Sequence, residues 1–170
     1  RVLFRSPAPG DPGSLGASKN IVIDTVKPTF AVTYSNANPA FKAGAVTITA
    51  TSTKSLPAVP TISIDQQGTT DIVAANMVGT VPGTVFTYSY TVTAATGGTY
   101  RDGLATVSIT GTDAVGNVGT QVTSGGTFYT DTTAPVVTGL STTARNTPYK
   151  VGDTIDITVT FSEQIGRAHV

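Results

Sequence analysis

Asp113-Ala114-Val115-Gly116-Asn117 is the stretch of this 170-residue chain whose residue types come nearest to chemistry. Its carboxylate, amide and backbone oxygens are the hard ligands of which a Ca²⁺ ion takes about six to eight. Asp24 can add a carboxylate to Asp113 and Asn117, and a second, sparser set joins Asp102 to Asp131. These five residues are the candidate Ca²⁺ ligands, although they carry too few carboxylates to resemble an EF-hand loop. The same segment also suits a tight hairpin: Asp and Asn bond their own backbone, and Gly or Asn accepts positive φ. Both readings stand at this level.

Catalytic residues are harder to find. A Ser, Cys or Thr nucleophile needs a base within reach, most often His. The chain has no Cys, and its single His, His169, lies in a terminal segment that reads as foreign. Without Cys there is also no disulfide framework and no thiolate metal site. Glycosidase chemistry needs two carboxylates flanking one cleft. Asp65, Asp71 and Asp102 instead fall at expected strand ends and loops, with no apolar pocket around them to raise a pKa. These patterns point away from an enzyme, and no cofactor other than Ca²⁺ is suggested. Tyr88, Tyr90 and Tyr100 could in principle stack on a sugar, but Tyr88 and Tyr90 alternate with Ser and Thr and read as core.

The two ends differ from the rest. Written as CAG ATC GGA AGA GCA CAC GTC, the codons for Gln164 to Val170 have a reverse complement that, one frame over, contains CGT GTG CTC TTC CGA TCT. That translates as Arg-Val-Leu-Phe-Arg-Ser, which is residues 1–6 of this chain. The word resembles a sequencing-library adapter read through at both ends. Residues 1–6 and 165–170 are therefore set aside as non-native, leaving 7–164 as the biological segment, open at both ends. Without Arg1, Arg5 and Arg167, seven bases face ten acids, a net charge near −3. No basic stripe points to nucleic acid, and no apolar run approaches the roughly 20 residues that cross a bilayer as a helix.

The elements that must position the candidate ligands are strands. Thr occurs 33 times, mostly alternating with Val, Ile, Ala, Tyr or Phe, whereas Met and Glu occur once each. β-Branched and aromatic residues at period two are the mark of half-buried strands. Strands are expected near 29–35, 44–53, 60–66, 71–78, 84–94, 104–112 and 118–130. Phe86, Tyr88, Tyr90 and Val92 should share one face, with Ala105, Val107 and Ile109 as the facing stripe. Gly97-Gly98, Asp102-Gly103 and Gly116-Asn117 supply turns. Seven strands with such turns predict an all-β, Ig-like Greek-key β-sandwich, and missing Cys and Trp exclude the antibody-type core.

An internal repeat organises these strands. Asp24-Thr25-Val26-Lys27-Pro28 recurs 107 positions later as Asp131-Thr132-Thr133-Ala134-Pro135. Phe41-Lys42-Ala43-Gly44 and Val46-Thr47-Ile48-Thr49-Ala50 recur as Tyr149-Lys150-Val151-Gly152 and Ile155-Asp156-Ile157-Thr158-Val159, at offsets of 108 to 109. A period near 107 fits a whole sandwich of about 100 residues. The expected organisation is one complete repeat over 28–133, preceded by the last strand and linker of another (7–27) and followed by the first strands of a third (134–164). Pro at each junction stops one strand running into the next.

Asp-Thr-Thr-Ala-Pro (131–135), Gly-Thr-Asp-Ala-Val-Gly-Asn (111–117) and Tyr-Lys-Val-Gly-Asp-Thr-Ile-Asp-Ile-Thr-Val-Thr-Phe-Ser-Glu (149–163) resemble the bacterial Ig-like domains. The resemblance covers nearly all of 20–164 and implies tandem repeats of a large adhesin or other cell-surface protein. In an Ig topology, the loop between the last two strands shares a pole with the incoming linker, which would bring Asp24 to Asp113 and Asn117. The resemblance also implies that Ca²⁺ stiffens some such linkers. The function expected is a structural and interaction module, extracellular or surface-displayed, with neighbouring repeats as partners and a host or surface glycan or protein as ligand. The alternative is an accessory module, carbohydrate-binding or spacer, of a secreted polysaccharide-degrading enzyme. The full reading frame separates the two: further Asp-Thr-x-x-Pro junctions favour the first, a neighbouring catalytic domain the second.

Overall fold

The computed structural model describes residues 23–36, 40–67, 72–95, 102–142 and 148–165. Strands follow the alternating runs: β1 (Thr29–Tyr34), β2 (Ala40–Phe41), β3 (Gly44–Leu56), β4 (Thr61–Gln66), β5 (Ile72–Asn76), β6 (Gly83–Val92), β7 (Gly103–Thr112), β8 (Val118–Gly119), β9 (Gln121–Ser124), β10 (Thr127–Thr130), β11 (Val137–Thr142) and β12 (Ile157–Phe161). No helix occurs among the described residues, so none there is long and apolar enough to cross a membrane. One sheet has the order β6-β3-β1-β9 and the other β5-β4-β7-β10-β2, with β8 beside β7. The out-of-sequence neighbours β3–β6 and β4–β7 interlock the two sheets as a Greek-key sandwich.

Alternation does the sorting. In β3, Val46, Ile48, Ala50 and Ser52 point inward while Thr47, Thr51 and Thr53 are exposed. In β7, Ala105, Val107 and Ile109 are buried between exposed Thr and Ser. They join Phe30, Phe86 and Val92 from the other sheet in one core. Tyr88 and Tyr90 pack against that core partly buried, so the stripe expected on this strand forms as read. Near Phe128, the rings of Tyr34, Phe41 and Tyr90 sit 5.4 to 6.0 Å from it at steep angles. Edge-to-face rings of this kind add to what burial alone contributes.

The single strand expected over 118–130 is instead three pieces, and the reason is Gly125-Gly126. β9 pairs parallel with β1, whereas β10 pairs antiparallel with β7 and parallel with β2. Between them the chain changes sheets. Gly125 adopts φ +68°, and a Cβ there would lie 2.0 Å from the Val32 carbonyl oxygen. Only glycine fits that approach. The Tyr34 hydroxyl fastens the crossing by donating to Gly125 O at 2.6 Å, and Gly126 O accepts from Val107 N–H at 2.8 Å. β2 was not foreseen, being only two residues long.

The turn residues 97–98, Asp71, Tyr100, the strand expected just before residue 23, residues 1–6 and residues 166–170 lie outside the described residues. Beyond the sandwich, β11 and β12 form a separate two-stranded antiparallel sheet.

Candidate functional site

β7 ends at Thr112, and the chain turns back into β8 through Asp113-Ala114-Val115-Gly116-Asn117. Gly116 takes φ +95°, and its N–H donates to Asp113 O at 3.1 Å while Asp113 N–H donates to Asn117 O at 3.1 Å. The Asp113 carboxylate rigidifies the loop from within: Oδ1 accepts from Val115 N–H at 3.1 Å and from Asn117 N–H at 2.9 Å. This is the backbone-bonding role expected of Asp in a tight hairpin.

The other carboxylate oxygen faces the incoming linker. Lys54 Nζ donates to Asp113 Oδ2 at 2.7 Å and to both carboxylate oxygens of Asp24 at 2.7 Å. It also donates to the Val26 carbonyl oxygen. Asn117 Nδ2 donates to Asp24 O at 2.9 Å and Asp113 Oδ2 at 3.0 Å, and Asp24 Oδ1 accepts from Val26 N–H at 3.0 Å. Asp24, Asp113 and Asn117 thus converge as the sequence indicates. At the centre of the cluster stands the ammonium of Lys54.

That ammonium controls the electrostatics. Lys54 lowers the Asp24 carboxyl and holds that of Asp113 well below the ordinary carboxylate range, Asp113 further aided by Asn117 and Val115. The two carboxylates in turn raise the Lys54 pKa, Asp113 contributing more. Asp113 is almost fully buried, its side chain 4% exposed. A buried carboxylate persists as an ion because every lone pair has a donor. A Ca²⁺ ion using these oxygens would have to stand where the ammonium stands, so the cluster fits the metal only once Lys54 is displaced. Among the described residues, no three His, Cys, Asp or Glu side chains gather as a metal site.

Lys54 was missed in the sequence, although a signal was present. It continues the even-numbered inward row of Val46, Ile48, Ala50 and Ser52. A lysine on the inward row of a strand needs a buried anion, and only the fold shows which.

Asp102 and Asp131 sit at the other end of β7. The Asp102 carboxylate accepts four hydrogen bonds: from Thr132 N–H and Oγ1 at 2.8 and 2.7 Å, and from Thr133 N–H and Oγ1 at 3.1 and 2.6 Å. Burial alone would raise its pKa, but these bonds outweigh that and lower it. Thr132 Oγ1 also accepts from Ala95 N–H at 2.7 Å. Asp131 is exposed, and its N–H donates to Phe41 O at 3.0 Å. The structure therefore pairs Asp102 with the threonines of the Asp-Thr-Thr-Ala-Pro junction, a role that leaves its oxygens committed to donors. Asp65 is exposed on β4, and Tyr90 turns its hydroxyl onto Gln66 Oε1 at 2.5 Å.

Both linkers are thus fastened near opposite ends of the same strand, the incoming one by Lys54 and Asn117 and the outgoing one by Asp102. β7 has ten residues, about 33 Å of extended chain at about 3.3 Å per residue. No protein-family model and no curated protein sequence matches the chain.

Proposed function

We propose that this chain is a structural and interaction module, a tandem Ig-like repeat that extends a large secreted or surface-displayed bacterial protein and transmits tension along it. The observation that supports this reading is the opposed fastening of the two linkers at the ends of β7. The incoming linker is held by Lys54 and by Asn117 of the β7–β8 loop, both oriented by Asp113, and the outgoing one by Asp102. The strand pairing suits the same role. β1 lies parallel to β9, and β2 parallel to β10. Tension applied to the two ends therefore shears whole ladders of hydrogen bonds at once, where an antiparallel pair loaded at one end would open bond by bond. In this reading the neighbours along the chain are further repeats, and adhesion to a glycan or protein surface is the role of the assembled string.

Single-molecule pulling tests it. Loaded between residues 23 and 134, the repeat should unfold in one event, releasing about 0.36 nm for each freed residue. The force should be clearly higher than when the same protein is pulled through Thr61→Cys and Asn76→Cys, the couple at the open end of β4–β5 from which this antiparallel pair unzips. Equal forces in the two geometries would remove the mechanical argument.

A further inference from the structure

The hairpin β11–β12 repeats the pairing of β1–β3 with one residue inserted. Thr29 N–H donates to Thr53 Oγ1 at 3.0 Å, and Val136 N–H donates to Ser162 Oγ at 3.0 Å. Phe30 pairs with Ser52 and Tyr34 with Ile48, while Val137 pairs with Phe161 and Thr142 with Ile157. A register shift between Val137 and Gly139 inserts one residue, which accounts for the offset growing from 107 to 108 along the strand. The inward row Phe30, Val32, Val46, Ile48 and Ala50, buried to 5% exposure or less, corresponds to Val137, Leu140, Ile155, Ile157 and Val159. Those five are 43 to 73% exposed.

We propose that this face is half of a second sandwich core, and that its occupant is a second antiparallel β-sheet of the same repeat with an aliphatic inner face. The chemistry of that sheet is read from what covers β1–β3: Ile62 and Ile64 on β4, Ala105, Val107 and Ile109 on β7, and Phe128 on β10. Four of these side chains on one small sheet, with Ile155 just before it, exceed the scattered apolar exposure of an ordinary surface. The pole of this second unit differs in charge. Glu163 stands where Lys54 stands in the first, and its Oε1 is buried with no hydrogen-bond partner among the described residues. A buried carboxylate oxygen without a donor is costly, so the covering layer brings a donor where the first repeat brings Asp113. The proposal shares the tandem-repeat reading with the function above but stands on the hairpin alone.

The test uses the whole chain and the dye ANS. The chain should bind the dye, and Leu140→Asp with Ile157→Asp should lower the fluorescence several-fold while leaving the melting of 28–133 unchanged. Appending a second copy of residues 55–133 after Glu163 should abolish dye binding and add a second cooperative transition. If side-chain mismatch prevents this, Val137→Phe, Leu140→Val, Ile155→Val, Val159→Ala, Phe161→Ser and Glu163→Lys in the extended chain restore the first repeat's inward row and the cation that faces Asp113, and a second transition then supports the assignment. No second transition in either form overturns it. So does sedimentation showing that two chains associate through Leu140 and Ile157 and stay associated after the strands are appended, since the occupant is then a second copy. Neither result touches the pulling experiment, which loads only 23–134.

Discussion

At the scale of single residues, the chain supplies its own cation. Lys54 joins an acid of the linker, Asp24, to an acid of the β7–β8 loop, Asp113. The pH dependence follows from the direction of each shift. Asp24 and Asp113 titrate below their ordinary 3.8 in the fold, so their contribution is present above about pH 4 and fades as acid protonates them. Lys54 titrates above its ordinary 10.5, so its contribution is complete below that value and fades in stronger base. Tyr34, pushed up to about 12 by burial, adds to the loss above pH 10. The melting temperature of the protein should therefore be flat between these limits. In Lys54→Met two carboxylates face each other without a cation and are no longer held below 3.8 by it, so the melting temperature should be lower at neutral pH and its fall in acid smaller or reversed. An acid limb identical to that of the native protein would show the ion pair to be ornamental. Millimolar Ca²⁺ should leave the native melting temperature unchanged, because the ion must displace Lys54 to reach these oxygens; a clear rise would restore the metal reading.

At the scale of elements, the decisive feature is the passage of the last strand from one sheet to the other at Gly125-Gly126. It lets β9 run parallel to β1 and β10 parallel to β2 within a single stretch of chain. Gly125→Val places a β-branched side chain at φ +68° with its Cβ 2.0 Å from Val32 O. That should cost about 3 kcal/mol or more in urea unfolding, since β1 or the crossing must move. Gly116→Ala is the control. Its φ of +95° is equally unfavourable, but a Cβ there meets nothing within 4 Å, so the loss should stay near 1–2 kcal/mol, the strain of the backbone alone. Equal losses at the two glycines would mean that the close approach to β1 does not matter.

At the scale of the whole molecule, the buried hydrophobic side chains of the described chain run from Phe30 to Phe128, leaving β11–β12 outside the core. Residues 23–133, which keep both linker fastenings, should therefore melt cooperatively on their own. Val107→Asp puts an unpaired carboxylate between the sheets and should cost several kcal/mol. Removing residues 1–6 and 165–170 from the full chain should leave the melting temperature of the sandwich where it was. A fall of many degrees would show that those segments belong to the fold.

Much of this architecture was already legible in one dimension. Period-two alternation is a local property of a strand, so Val46-Ile48-Ala50, Phe86-Val92 and Ala105-Val107-Ile109 declared their buried faces before any partner was known. The Asp-Thr-x-x-Pro motifs at 24–28 and 131–135 likewise bracket the sandwich strands β1 to β10. Convergence of Asp24, Asp113 and Asn117 could be anticipated once a sandwich was assumed, because the pole collects the linker and the last loop. What only the tertiary structure decided was the cation at their centre. Lys54 lies 30 residues from Asp24 and 59 from Asp113, and no local pattern ties a lysine to acids so distant along the chain. The split of the last strand was hidden for the same reason. A Gly-Gly pair reads as a turn or a bulge in sequence, and its role as a bridge between sheets exists only where the carbonyl of Val32 leaves no room for a side chain.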